Sequence, residues 1–226
     1  SRCPACRKEL GIIELIPVAS VFMQNARCRS CGVALSWQYP LVELGTGISY
    51  VFAAWLIRPT GSVGLIGLMG LMIAIAAAIV ILVSDFRYQI IPNGAVVILL
   101  IAGIVRIIFQ TKSGIYIPDL VWNIMSAAII GLFFASLWFF SRGRWMGFGD
   151  AKLVFATSLL LGFPVSIAAF LFSFWLGGIV GATLLFWGSR GLKSRIPFGP
   201  FIIAGAGLAY FFSDAFLAFT GLDLLL

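Results

Sequence analysis

The sequence predicts an all-α, polytopic membrane protein, with about seven transmembrane helices behind a short polar segment that holds the cysteines. Composition says so first: 62% of the residues are hydrophobic, mean hydropathy is +1.10, and 10% are charged, against roughly 25% charged in a soluble domain. Patterning says so again, because from Tyr39 onward long apolar runs alternate with short charged punctuation. Two domains follow, 1–38 and 39–226.

Spans are expected at 39–57, 62–84, 93–110, 119–140, 151–163, 165–188 and 199–219. In the second, Gly67, Gly70 and the alanines 74 and 76–78 allow close helix packing where lipid supplies no hydrophobic drive. Pro92 and Asn93 start the third, since proline suits a first helical turn. The fifth is short for a bilayer that needs about 20 residues, so it is either tilted or joined to the sixth through Gly162 and Pro164. Pro197 and Pro200 shape the approach to the last. The absence of an initiator methionine at Ser1 is read as trimming or processing.

Orientation comes from the loop cations. One side holds Arg2, Arg7, Lys8, Arg27, Arg29, Arg87, Arg142, Arg144, Lys152, Arg190, Lys193 and Arg195. The other keeps Arg58 and Lys112, with Arg106 inside the third span. The first side, which includes the cysteine segment, is therefore cytoplasmic. The formal charge of +7 is accounted for by anionic membrane lipids. No basic groove interleaved with exposed aromatics is present, which sets nucleic acid aside.

Of the eight carboxylates, Asp119, Asp214 and Asp223 fall on the outer side, and Glu9 and Glu14 in the cysteine segment. Glu43, Asp85 and Asp150 remain, all near cytoplasmic span ends, where an acid is costly unless paired or wet. Two aspartates at one depth suggest acid–base work on a shared water, the pair holding one proton between them. Asp150 begins a helix, whose positive end favours the anion, and Asp85 ends one. Asp150 is thus expected to start as base and Asp85 as acid. Gly147 and Gly149 would free the backbone to turn sharply beside Asp150. With no histidine, a serine or cysteine triad is excluded.

"GFGDAKL" at 147–153 and "SDFRYQIIPN" at 84–93 resemble the type IV prepilin peptidases, the bacterial branch of the G-x-G-D intramembrane aspartyl proteases. So do "SRCPACRKEL", "CRSCGVALSWQYPLVELGTG" and "IPFGPFIIAGA". The resemblance covers nearly the whole chain. It implies that Asp85 and Asp150 are the proteolytic pair, and that the substrates are pilin or pseudopilin precursors. Their basic leaders would be cut at the cytoplasmic face of the bacterial inner membrane. It also implies methylation of the new N-terminal amine from S-adenosylmethionine. Members begin with a further apolar helix before the cysteine segment, so this chain reads as a trimmed or short form.

Cys3, Cys6, Cys28 and Cys31 form two C-x2-C knuckles, a spacing suited to tetrahedral zinc in a structural role. Disulfides are the competing reading, disfavoured by a reducing compartment. Lys152 snorkels to headgroups, biases the protonation of the aspartates or holds a substrate carboxylate, and Arg87 is expected to snorkel. Glu43 either pairs with a basic loop or receives the substrate amine near the methylation site. Because leader and cytoplasmic face are both basic, the substrate's apolar stem is expected to enter laterally between helices. Two other classes compete: a transporter with Asp85 and Asp150 as ion sites, and a zinc-knuckle scaffold.

Overall fold

The structure is a computed structural model, and it describes residues 2–3, 5–112, 117–187 and 197–220. Arg190, Lys193, Arg195 and Asp223, used above for orientation, lie outside the described residues. A 3-10 turn (Ile12–Leu15) and α1 (Ala19–Met23) precede seven long helices. These are α2 (Gln38–Ile57), α3 (Gly61–Tyr88), α4 (Asn93–Lys112), α5 (Ile117–Ser141), α6 (Phe148–Leu161), α7 (Val165–Phe186) and α8 (Gly199–Thr220). They occupy the seven apolar runs. Among the described residues no strand forms, apart from isolated bridges of Arg2 with Glu9 and Arg27 with Ala34. Four helices, α2, α3, α5 and α7, are long and apolar enough to cross a membrane, which makes this an integral membrane protein.

The chain divides into two compact units, Ser1–Ile75 and Ala76–Leu226. In the first, the cysteine segment is built from two knuckles with one hydrogen-bond pattern. Arg7 N–H donates to Cys3 O and Cys3 N–H to Lys8 O, both at 2.9 Å. Gly32 N–H donates to Cys28 O and Cys28 N–H to Val33 O, again at 2.9 Å. The residue four past each leading cysteine, Arg7 or Gly32, takes a left-handed φ to close the turn. In α2, the Thr46 and Ser49 hydroxyls donate back to Val42 O and Gly45 O, so neither hydroxyl is left loose along an apolar helix.

In the second unit α6 is central: α4, α5, α7 and α8 all pack against it, and α7 pairs closely with α8. Small residues permit this. A Cβ on Gly103 would meet Leu160 N at 3.0 Å and Leu159 C at 3.1 Å, so the backbones of α4 and α6 nearly touch. One on Gly131 would meet Phe155 at 3.0 Å, and one on Gly205 would meet Ala169 O at 2.7 Å. An aromatic layer lies in this unit's core: Phe134, fully buried, has Phe170, Phe174 and Phe198 with ring centroids 5.8–5.9 Å away. Phe198 also fills the notch over Gly177, where a Cβ would come within 2.9 Å of its ring. That seats the residue immediately before α8. Large apolar side chains such as Leu132, Phe139 and Phe140 face outward, as lipid requires.

Candidate active site

Helix α3 runs on to Tyr88, beyond the expected end at 84, so Asp85 sits inside its last turn. Gln89, with φ +54, then reverses the chain while its N–H bonds Asp85 O at 2.9 Å. Pro92 stands one residue before α4, just ahead of the first turn in which the sequence placed it. The α5–α6 loop turns at Arg142 and Gly143, both at positive φ, and the Trp138 and Phe148 rings meet across it at 4.9 Å. This delivers Asp150 into the first turn of α6.

Both carboxylates are buried, Asp85 at 5% and Asp150 at 8% exposure, and they lie within electrostatic reach of one another. Each is held through Oδ2 by a backbone N–H. Gly147 N–H donates to Asp150 at 3.1 Å, a capping-box contact at the start of α6. Gly199 N–H, the first of α8, donates to Asp85 at 3.0 Å. Asp85 therefore faces the positive end of α8 as well as the negative end of α3. The helix-end argument that made Asp150 the base and Asp85 the acid is thereby weakened, because both groups now sit at a helix N-terminus. Among the described residues neither aspartate keeps a sealed oxygen without a partner.

The glycines act otherwise than expected. Gly147 has ordinary extended backbone, φ −77, so no special conformation is used there. Gly149 is helical, and its missing side chain admits Ile91, whose Cβ would stand 3.2 Å from an added Cβ. Sequence reasoning missed Gly199. A Cβ there would fall 2.6 Å from Asp85 Oδ2, so glycine is what lets this N–H reach the carboxylate. Its signal was the glycine between Phe198 and Pro200, read above only for its prolines.

Lys152 Nζ donates to Asn93 Oδ1 at 2.5 Å and lies 5.4 Å from the Phe148 ring, tying α6 to the start of α4. Arg87 lies over the Tyr88 ring at 5.5 Å. In the first unit, Glu43 Oε2 accepts Val18 N–H at 2.7 Å, supporting the positive-φ residue that opens α1.

The four cysteine sulfurs lie within 4.8 Å of one another with no disulfide. Cys3 and Cys28 are buried, Cys6 and Cys31 exposed. Backbone hydrogen bonds at Cys31 and Ser30 pull the Cys28 thiol down to about 6, while its neighbour Cys31 is pushed up to about 11 by burial and by the surrounding cysteines. Four sulfurs gathered this closely suit a metal ion.

Fold and site together define a polytopic helical membrane protein with two buried carboxylates within electrostatic reach of one another and a cysteine cluster that could hold a metal. The bacterial peptidase A24 N-terminal domain matches residues 1–57, and the type IV leader peptidase family matches residues 72–182. The chain is 33% identical to the prepilin leader peptidase/N-methyltransferase of Bacillus subtilis (strain 168), over 97% of this chain and 84% of that protein. It is 30% identical to the protein of the same name from Burkholderia pseudomallei (strain 1026b), over 98% and 70%. For that of Aeromonas salmonicida (strain A449) the identity is 29%, over 95% and 72%. No solved structure matches. The chain belongs to the type IV leader peptidase family and is an enzyme.

Proposed function

We propose that this enzyme cuts the leader from type IV prepilin or pseudopilin precursors, with Asp85 and Asp150 sharing the hydrolytic water. The observation that supports this is a pair of buried carboxylates within electrostatic reach of one another, each fixed through one oxygen by a backbone N–H. One carboxylate takes a proton as the water oxygen bonds to the scissile carbonyl carbon. The other, protonated, gives its proton to the carbonyl oxygen. Collapse of the resulting diol breaks the C–N bond, the leaving amine takes a proton, and the pair again holds one. The cut lies at the cytoplasmic face of the bacterial inner membrane, where the loop cations orient the aspartate ends of the helices.

The same enzyme then methylates the new N-terminal amine, with S-adenosylmethionine as methyl donor, as the names of its relatives suggest. No strand, glycine loop and helix of the dinucleotide-binding kind occurs among the described residues, so no step is assigned to that cofactor's pocket. Zinc is the ion that four thiolates in two knuckles would take, as a closed structural site. Glu43 is retained as the candidate near methyl transfer. Asp85→Asn and Asp150→Asn, purified and checked for helicity, should each lower precursor cleavage by about 10³-fold or more. Full activity in either variant would remove that residue from the mechanism.

A further inference from the structure

The cleavage mechanism leaves one part-buried cation unused. Arg106 of α4 has its Nη1 buried with no hydrogen-bond partner among the described residues. It lies at the far end of α6 from Asp150, 12 residues on, or about 18 Å at 1.5 Å per residue. There α6 ends at Gly162, with φ +75. The place a side chain would occupy on Gly162 is filled by the Arg106 guanidinium. An added Cβ would clash with Nη1 and stand 2.8 Å from Nη2 and 2.6 Å from Asn123 Oδ1. Buried Asn123, from α5, accepts Phe163 N–H through that same oxygen at 2.7 Å. Beside it, Ser166 Oγ of α7 donates to Ser126 Oγ of α5 at 3.2 Å.

A guanidinium placed here interacts electrostatically with Tyr210 of α8, and it also has a counterpart that is not a side chain. The carbonyls of the last turn of a helix carry about half a negative charge between them. Cations near that end stabilise it, and the low dielectric of a membrane interior strengthens the effect. The site also leaves little room for a ligand, because the guanidinium and the Asn123 amide occupy the glycine's empty position themselves.

We infer that Arg106, Asn123 and Gly162 form a clamp on the C-terminal end of α6, and that Arg106 is a positioning residue. Through a helix packed against four others, the clamp sets the height at which Asp150 meets Asp85. The inference rests on the proposed role of Asp150. It gives α6 two polar anchors, the Gly147–Asp150 box at one end and this clamp at the other, with apolar packing between them.

The test uses the whole chain with a precursor substrate and two readouts. In Arg106→Gln, kcat should fall about 10- to 100-fold with KM within about twofold, since misplacing a catalytic group by about an ångström costs that much. Arg106→Lys, which keeps the charge at the helix end, should stay within about threefold of wild type. Amide exchange at 158–163 should be faster in Arg106→Gln and unchanged in Asp150→Asn. Asn123→Ala, which removes the Phe163 acceptor alone, should show the same pair of effects more weakly, and it carries the test if Arg106→Gln does not fold. Wild-type kcat and exchange in both Arg106→Gln and Asn123→Ala would overturn the clamp. So would a raised KM at unchanged kcat, which would make the guanidinium a substrate contact. If Asp150→Asn cleaves normally while exchange still follows Arg106, the role of Asp150 has failed and the clamp stands.

Discussion

At the scale of single residues, the two aspartates were legible because ionisable groups are rare in this chain and cost most where these lie. Gly199 was not legible, because its partner is 114 residues away in sequence and its value is the space it leaves beside Asp85 Oδ2. The same holds for Gly162, whose neighbours come from α4 and α5. Motif reading ranks the glycines of the G-x-G-D string first, and the geometry ranks them differently. A methyl on Gly199 would fall 2.6 Å from the Asp85 carboxylate, and one on Gly147 would stand 3.4 Å from Asp150 Oδ2. Gly199→Ala should therefore lower kcat for cleavage about 10²-fold with helicity intact, as removal of a preorganised backbone donor does. Gly147→Ala should stay within about threefold of wild type. Steady-state kinetics on the two variants checks the ranking, and the reverse order would contradict it.

At the scale of elements, α6 explains why the fifth apolar run looked too short. Its 14 residues reach about 21 Å, less than the roughly 30 Å hydrocarbon core. It works as a packed centre, with Ala151, Leu153, Ala156 and Ser158 all buried, instead of as a lipid-facing span. Apolar periodicity cannot separate the two, because a helix surrounded by protein and one surrounded by lipid are both apolar all round. The end of α3 was misplaced for a related reason. Ser84, Asp85 and Arg87 read as punctuation, yet the helix continues to Tyr88 because Asp85 is satisfied from α8. The contact that holds α4 to α6 is the backbone approach at Gly103. Gly103→Ala should destabilise the protein by about 1–3 kcal/mol, the usual cost of overpacking. Thermal unfolding in detergent reads it as a lowered Tm, and an unchanged Tm would show that the helices separate without cost.

At the scale of the whole molecule, hydropathy and the cysteine spacing conveyed the architecture, seven long helices among the described residues and a four-sulfur cluster, because each is written in local sequence. The division at Ile75 and Ala76 was not, since it falls within an unbroken apolar helix. If the cysteine cluster is a closed structural metal site, Cys28→Ser should lose the bound metal by elemental analysis while precursor cleavage stays within about threefold of wild type. Retained metal, or cleavage as low as in the aspartate variants, would contradict that. The most direct measurement bears on whether Asp85 and Asp150 act as one unit: kcat for cleavage in Asp85→Asn, Asp150→Asn and the double variant. Groups that share one water and one proton fail together, so the double variant should be no slower than the slower single. Losses that multiply would mean two independent carboxylates.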